Sequence, residues 1–378
     1  MALYSMRNFP QFVVPLLLAV LLGGPLAGCG NLGYYAQAMG GHFEVMQAAQ
    51  PISEIVRNPA SDPQLRKKLE EVQAIREFAS RELALPDNNS YRSYVDVGRP
   101  YVVWNVFAAP EFSLEPKRWC MVLVGCVNYR GYYAREDAER LAAELRREGY
   151  DTHVGGVPAY STLGYFDDPV LSTFLRHGTP EVARVVFHEL AHQLVFVADD
   201  SAFNESFATA VENEGMRRWL ASSTAFDRRP AFEAQRERKA AFAGLMRDYR
   251  KQFHALYQSA GSADRLRPAK AELLAALRRD YAELKASWGG YSGYDNFFAE
   301  DLNNAKLASL SLYSALVPAF EALLEQEDRD LPRFYQRVRG LAALDKEARR
   351  GVLAQLLPVR ADTRLALGGV APATPQMQ

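Results

Sequence analysis

The sequence predicts an α+β fold, mainly α, with a small mixed sheet, one helix that carries the chemistry, and a C-terminal helical region containing a long hairpin. Three observations predict it. His188-Glu189-Leu190-Ala191-His192 sits inside a largely apolar stretch, Glu181 to Val197, with the length and character of a buried helix. Segments rich in β-branched and aromatic residues cluster between residues 101 and 163. Beyond residue 225, apolar residues recur every three or four positions over two long runs.

The N-terminus reads as a targeting segment. Arg7 supplies a positive start, Phe12 to Leu22 is a short apolar run, and small residues lead into Leu26-Ala27-Gly28-Cys29. The run is too short for a comfortable membrane span. Leu-Ala-Gly-Cys resembles the lipobox of bacterial lipoproteins. That resemblance implies removal of residues 1–28, lipidation of the Cys29 thiol, and residence on the periplasmic side of the cell envelope. Gly30 after the cysteine, where an aspartate would signal inner-membrane retention, points to the outer membrane. The remaining roughly 350 residues suffice for one large domain or two. With a net charge of −1, neither a nucleic-acid footprint nor a polybasic membrane patch is indicated.

Residues 29–60, Gly- and Ala-rich, form the tether and an N-terminal helix, and 61–225 the core. Ser61-Asp62-Pro63 starts a helix whose apolar stripe is Leu65, Leu69, Val72, Ile75 and Phe78. Asp87-Asn88-Asn89-Ser90 ends that region. Tyr101 to Phe107, Trp119 to Val127 and Tyr150 to Leu163 are strand candidates, with a helix over Arg135 to Gly149. Cys120 and Cys126 are either bridged or two buried free thiols. Six residues of straight strand span about 20 Å, so a bridge requires a turn, for which Gly125 is the candidate. A helical hairpin over 226–290 follows, with Phe242, Leu245, Met246, Tyr249, Phe253 and Leu256 on one arm and Leu266, Leu273, Leu277, Tyr281 and Leu284 on the other. It is either a packing element or an arm that binds an envelope protein. Helices Asn296 to Glu325 and Leu331 to Leu357 fill residues 291–360, and a polar tail, 361–378, is expected to be disordered.

Two histidines four apart lie on one helix face and reach one metal ion, and the glutamate between them can take a proton from water there. With six histidines in 378 residues, the pattern arises by chance in roughly one such chain in a hundred. A catalytic zinc needs a third protein ligand and an open position. Glu205, in Asn204-Glu205-Ser206-Phe207-Ala208, follows His192 after the twelve residues 193 to 204, and Asp199-Asp200-Ser201 is where a returning helix can begin. Glu212 and Glu214 compete for the role. Glu212 lies two turns beyond Glu205 on the same face, as ligand or as partner to an imidazole N–H; Asn204 is a further supporting residue. Between Val154 and Pro169, the hydroxyls of Tyr160, Ser161 and Thr162 and the carboxylates of Asp167 and Asp168 are candidates for holding a peptide, the aspartates by neutralising its amine. The aspartates read equally well as a helix start.

Strand, helix, strand and then the metal helix is the order of a zincin-like metallopeptidase. The lipobox, Tyr160 to Pro169, Phe187 to Gln193, Asn204 to Ala208 and Asn303 to Ala308 occur together in that order. Together they resemble a bacterial family of predicted aminopeptidases, lipoproteins with a gluzincin-type motif, over nearly the whole mature chain. The resemblance implies one zinc ion held by His188, His192 and Glu205, with Glu189 as general base and a peptide as substrate. Against the gluzincins of the M1 type, Glu205 follows the second histidine closely; Glu212 lies at the more usual distance. Zincins add a donor for the developing oxyanion; Tyr313 is preferred here over Tyr160, Tyr291, Tyr294 and His254. Two other activities fit the residues: an envelope endopeptidase, or a non-catalytic lipoprotein scaffold with a vestigial metal site.

Overall fold

The computed structural model describes residues 29–121, 125–222, 229–259, 261–310 and 316–357. The targeting segment, Tyr313 and the tail lie outside them, and of Cys29 the backbone alone is described. Among the described residues no helix is long and apolar enough to cross a membrane. The chain divides into two units, residues 1–47 and 48–378. The first is represented by helix α1, Cys29–Gln47. All further elements belong to the second, which is mainly helical with small sheets.

That unit opens with β1 (Gln50–Pro51), α2 (Ile52–Arg57) and α3 (Pro63–Leu83). The Asp62 side chain caps α3 by accepting from the Gln64 and Leu65 amides, and Ala84 ends it in the left-handed region at φ 51°. Leu69, Val72, Ile75, Ala79 and Leu83 turn inward. Strand β2 (Ser93–Val95) pairs with β1 on one side and, in parallel, with β8 (Val170–Leu171) on the other.

A second sheet has β3 (Val103–Pro110) at its centre, flanked by β6 (Arg130–Tyr132) and β7 (Tyr150–Val157), both antiparallel to it. Helix α4 (Arg135–Arg147) covers one face, packing Ala138, Ala142 and Leu145 on Val106 and Ala108. The strand expected to continue to Leu163 stops at Val157, because Pro158 has no N–H to extend the ladder. The β-rich run from Trp119 is a hairpin and not one strand. Its arms β4 (Trp119–Met121) and β5 (Gly125–Val127) set Cys120 opposite Cys126, and the two are joined by a disulfide. Gly125 has φ 73°, and a Cβ there would lie 2.6 Å from Asp199 Oδ1. That close approach lets the Cys126 amide donate to the Asp199 carboxylate at 2.5 Å, which ties the hairpin to the chain between residues 192 and 201.

After α5 (Ser172–Leu175) comes α6 (Thr179–His192), and then α7 (Ser201–Ala221), which is buried on almost every side. Helices α3, α6 and α7 meet so closely that a Cβ on Gly215 of α7 would lie 2.8 Å from both Leu83 and Phe187. Two long helices follow, α8 (Arg229–Gln258) and α9 (Ala263–Ser287). Their inward residues, Phe242, Met246, Tyr249, Phe253, Leu277 and Tyr281, share a core with Leu114, Leu302 and Leu307. The apolar stripe is therefore buried within the unit, as a packing element requires.

The helix expected over 296–325 is interrupted. Its described parts are α10 (Asp295–Ala299), α11 (Asn304–Ser309) and α12 (Val317–Gln326). The Asn303 side chain starts α11 afresh by accepting from the Lys306 amide, while buried Asn304 donates to the Pro110 and Glu111 carbonyls. Asp345 likewise divides the last expected helix into α13 (Leu331–Ala342) and α14 (Lys346–Leu356) by capping the second. In each case a short polar side chain offers the backbone a better partner than the continuing helix does.

On β7, His153 lies against Phe107 with ring centroids 6.2 Å apart. Burial, assisted by Lys306 and opposed by Glu300, pushes its imidazole down to about 4. Between that value and the unfolded value near 6.5 the unfolded chain binds the extra proton, so acid favours unfolding. The contribution is complete above pH 6.5 and is lost as pH falls through 4, amounting to roughly 3 kcal/mol. Thermal melts from pH 7 to 4 are expected to fall less steeply for His153→Gln than for the wild type. Parallel slopes would remove His153 as the cause.

Candidate metal centre

Helix α6 begins after Gly178, whose φ of 88° suits glycine, and Pro180 stiffens its first turn. Val182, Val186, Phe187 and Leu190 are buried, and Phe187 packs on Phe78 of α3 at 5.9 Å between ring centroids. This anchoring sets His188 and His192, one turn apart, facing α7. The chain reverses between residues 193 and 200, where the Asn204 side chain both accepts from the Val197 amide and donates to its carbonyl at 2.8 Å. Asp199, at φ 63°, makes the turn. So α7 starts at Ser201, early enough to bring Glu205 back to the histidines.

His188 Nε2 lies 3.2 Å from His192 Nε2 and 3.3 Å from Glu205 Oε2; His192 Nε2 lies 3.7 Å from Glu205 Oε1. These three residues form a group whose ligand atoms all lie within 4.8 Å of one another. Donors about 2.1 Å from a tetrahedral zinc are about 3.4 Å from each other, so the spacing fits such an ion. Two imidazole nitrogens and a carboxylate oxygen are also the donor types zinc accepts.

Glu212 stands behind His188. Its Oε2 lies 3.0 Å from His188 Nδ1 and accepts from Arg184 Nη1 at 3.1 Å, and Lys239 of α8 is 4.0 Å from its other oxygen. Burial alone would raise the Glu212 carboxyl, but Arg184, His188 and Lys239 overcome it and hold it down at about 2. An acceptor on Nδ1 fixes the His188 tautomer that turns the Nε2 lone pair toward Glu205 and His192. Glu214, on another face of α7, is engaged by Arg217, Arg218 and Arg329, each at 2.6–2.7 Å. Glu212→Gln is expected to weaken zinc binding by about 10–100-fold in a competitive chelator titration. An unchanged affinity would deny Glu212 that orienting role.

His188, between Glu205 and Glu212, is pushed up to about 10 although burial opposes it; His192, mainly through burial, goes down to about 4. His192 Nδ1 is buried without a hydrogen-bond partner. Glu189 is half-buried beside the group without belonging to it. Burial, opposed by His188 and reinforced by Glu205 and Asp168, pushes its carboxyl up to about 7. A base poised near neutrality suits proton transfer.

The remaining sequence candidates distribute as follows. Asp168 is buried, its Oδ2 accepting from the Thr162 amide at 2.9 Å and from Ser161 Oγ at 3.4 Å. Asp167 is exposed and accepts from Asn89. Tyr160 lies edge-on to Tyr133, ring centroids 6.0 Å apart. Tyr291 packs on Trp288 and Tyr294 on Phe242 of α8, and His254 is exposed beside Gln258. Tyr91, which the sequence reading did not single out, is fully enclosed near Glu189, whose charge acts on its phenol. An aromatic residue at φ 63° has no sequence signature; the Asn88-Asn89-Ser90 turn before it was the sole cue.

A family model described as "Putative aminopeptidase" matches residues 33–353, and the chain belongs to that family. No curated protein and no solved structure matches it.

Proposed function

We propose that the protein is a zinc-dependent aminopeptidase with a zincin-like core and a helical hairpin formed by α8 and α9. The observation that carries this reading is the convergence of His188, His192 and Glu205 at ligand spacing with Glu189 beside them. Family membership supports peptidase chemistry.

A bound zinc ion supplies positive charge that acidifies water and polarises the scissile carbonyl. The chain's own residues do the rest. His188, His192 and Glu205 hold the ion, and Glu212 keeps His188 in the correct tautomer. Glu189 takes a proton from the attacking water and returns it to the departing amine nitrogen. Tyr313 is the proposed oxyanion donor, on its place in sequence after the Asn303-Asn304 helix start. The lipobox supports anchoring through Cys29 on the periplasmic side of the bacterial envelope, in the outer membrane.

The test is mass spectrometry of a peptide pool offered with free and with acetylated N-termini to the zinc-loaded protein, the chelated protein and Glu189→Gln. Stepwise loss of N-terminal residues, from free peptides and with the zinc-loaded wild type alone, is the expected result. Internal cuts in both pools would make it an endopeptidase, and intact pools would remove the peptidase reading.

A further inference from the structure

The loop between β7 and β8 holds a buried acid that has no ion pair among the described residues. Asp168 is 2% exposed. One of its oxygens is held by Thr162 and Ser161, while the other, Oδ1, is buried with no hydrogen-bond partner. The charged side chains around it are acids: Asp167 acts on its ionisation, and Asp168 in turn acts on Glu189. An unsatisfied buried carboxylate oxygen is costly, and a cationic group placed against it would offset that cost.

A second orphan lies in the same place. Tyr91, also 2% exposed, has a hydroxyl with no partner, and Asp168, Glu189 and Tyr160 all act on it electrostatically. The Tyr91 amide donates to the Asp168 carbonyl at 2.6 Å. Arg76, inside α3, fixes the preceding turn by donating to the Ser90, Pro86 and Asn88 carbonyls. The loop itself is seated on the metal helix: Gly164 lies against the side chain of Gln193, next to His192, and Asn88 donates to that same Gln193 at 2.7 Å. The two orphaned groups are joined through the backbone, and Glu189 is within electrostatic reach of both.

We propose that Asp168, with Tyr91 behind it, anchors the α-ammonium group of the peptide substrate and so restricts the site to N-terminal residues. This rests on the peptidase reading above. An ammonium carries three donors, enough for Oδ1 and the Tyr91 oxygen together, and its charge offsets the carboxylate. A substrate C-terminal carboxylate would be repelled. The exposed Asp167, which already accepts from Asn89, has no comparable need. The Thr162–Phe166 turn over Asp168 is closed by the Thr162 hydroxyl bonding the Phe166 amide and carbonyl at 3.1 and 3.2 Å, and this turn has to move when substrate enters.

The experiment is calorimetric binding of leucine hydroxamate, and of its analogue lacking the amine, to the full-length zinc-loaded protein, which needs no turnover. Wild type is expected to prefer the amine-bearing ligand by on the order of a hundred-fold. Asp168→Asn preserves the oxygen that accepts from Thr162 and should abolish the preference by weakening the amine ligand alone. In turnover the same variant raises KM for free dipeptides more than it lowers kcat. Tyr91→Phe should reduce the preference in the same direction, and carries the test if Asp168→Asn does not fold. Equal wild-type affinity for the two ligands, or a preference that survives Asp168→Asn, overturns the proposal. An amine preference lost in the variant, in a protein that cuts no peptide, would uphold the anchor and sink the peptidase reading. Internal cleavage of acetylated peptides without amine preference would do the reverse.

Discussion

Glu189→Gln is expected to retain zinc and lose turnover. Glutamine matches glutamate in shape but cannot accept a proton, and proton transfer by a positioned side chain contributes about 10²–10⁴-fold to rate. The loss should therefore fall on kcat, with zinc stoichiometry measured by elemental analysis unchanged. Zinc retention follows from the geometry: the three residues at ligand spacing are His188, His192 and Glu205, and Glu189 is outside that group. Environment adds to the argument, since burial and the neighbouring acids Glu205 and Asp168 push the Glu189 carboxyl up to about 7. A variant that releases its zinc would make Glu189 a ligand. One that keeps more than a tenth of the activity would mean that another group accepts the proton.

Arg349→Met is expected to produce the largest loss of stability. The guanidinium is 3% exposed and donates to Asp200 Oδ2 through Nε at 3.1 Å and Nη2 at 2.7 Å, with a third bond to the Leu344 carbonyl. Its carbon lies 5.1 Å from the centre of the Phe203 ring. Methionine fills part of the volume but leaves the Asp200 carboxylate buried without a counter-charge, and breaking such a pair costs about 3–5 kcal/mol. For a chain of this size that corresponds to a melting temperature lower by roughly 4–7 °C. Asp200→Asn added to Arg349→Met should recover most of it, because the uncompensated charge, and not the lost contact, dominates. Because Asp200 immediately precedes α7, the single variant should also loosen the reversal that returns Glu205 to the histidines, and zinc affinity should fall with stability. A single variant as stable as the wild type would show that α14 does not clamp the start of α7.

Parts of this architecture were legible because they depend on neighbours in sequence. The H-E-x-x-H helix, its apolar faces, the Asp62 cap and the break at Asp199-Asp200-Ser201 follow from helical periodicity and from short polar side chains competing for the backbone. Helix interruptions at Asn303 and Asp345 used the same chemistry but were missed, since nothing local distinguishes a capping Asn or Asp from one on a solvated helix face. Glu205 and Glu212 could be put on one face by counting turns, yet counting could not say which would reach Nε2 of His188 and which Nδ1. Glu214 dropped out of the competition because three arginines, one of them more than a hundred residues away, engage it.

By itself, then, the sequence determined the histidine pair on α6, the acid between them, the short return to Glu205 and the mainly helical character of the chain. These are consequences of residue type and of spacing along a regular helix. What only the tertiary structure decided was the assignment of roles: Glu212 against His188 Nδ1, Asp168 enclosed and Asp167 exposed, Tyr91 drawn in beside Glu189. The reason is physical. Burial and long-range pairing fix the charge and direction of a carboxylate or a phenol, and both come from residues that are distant in sequence and adjacent only once the chain has packed.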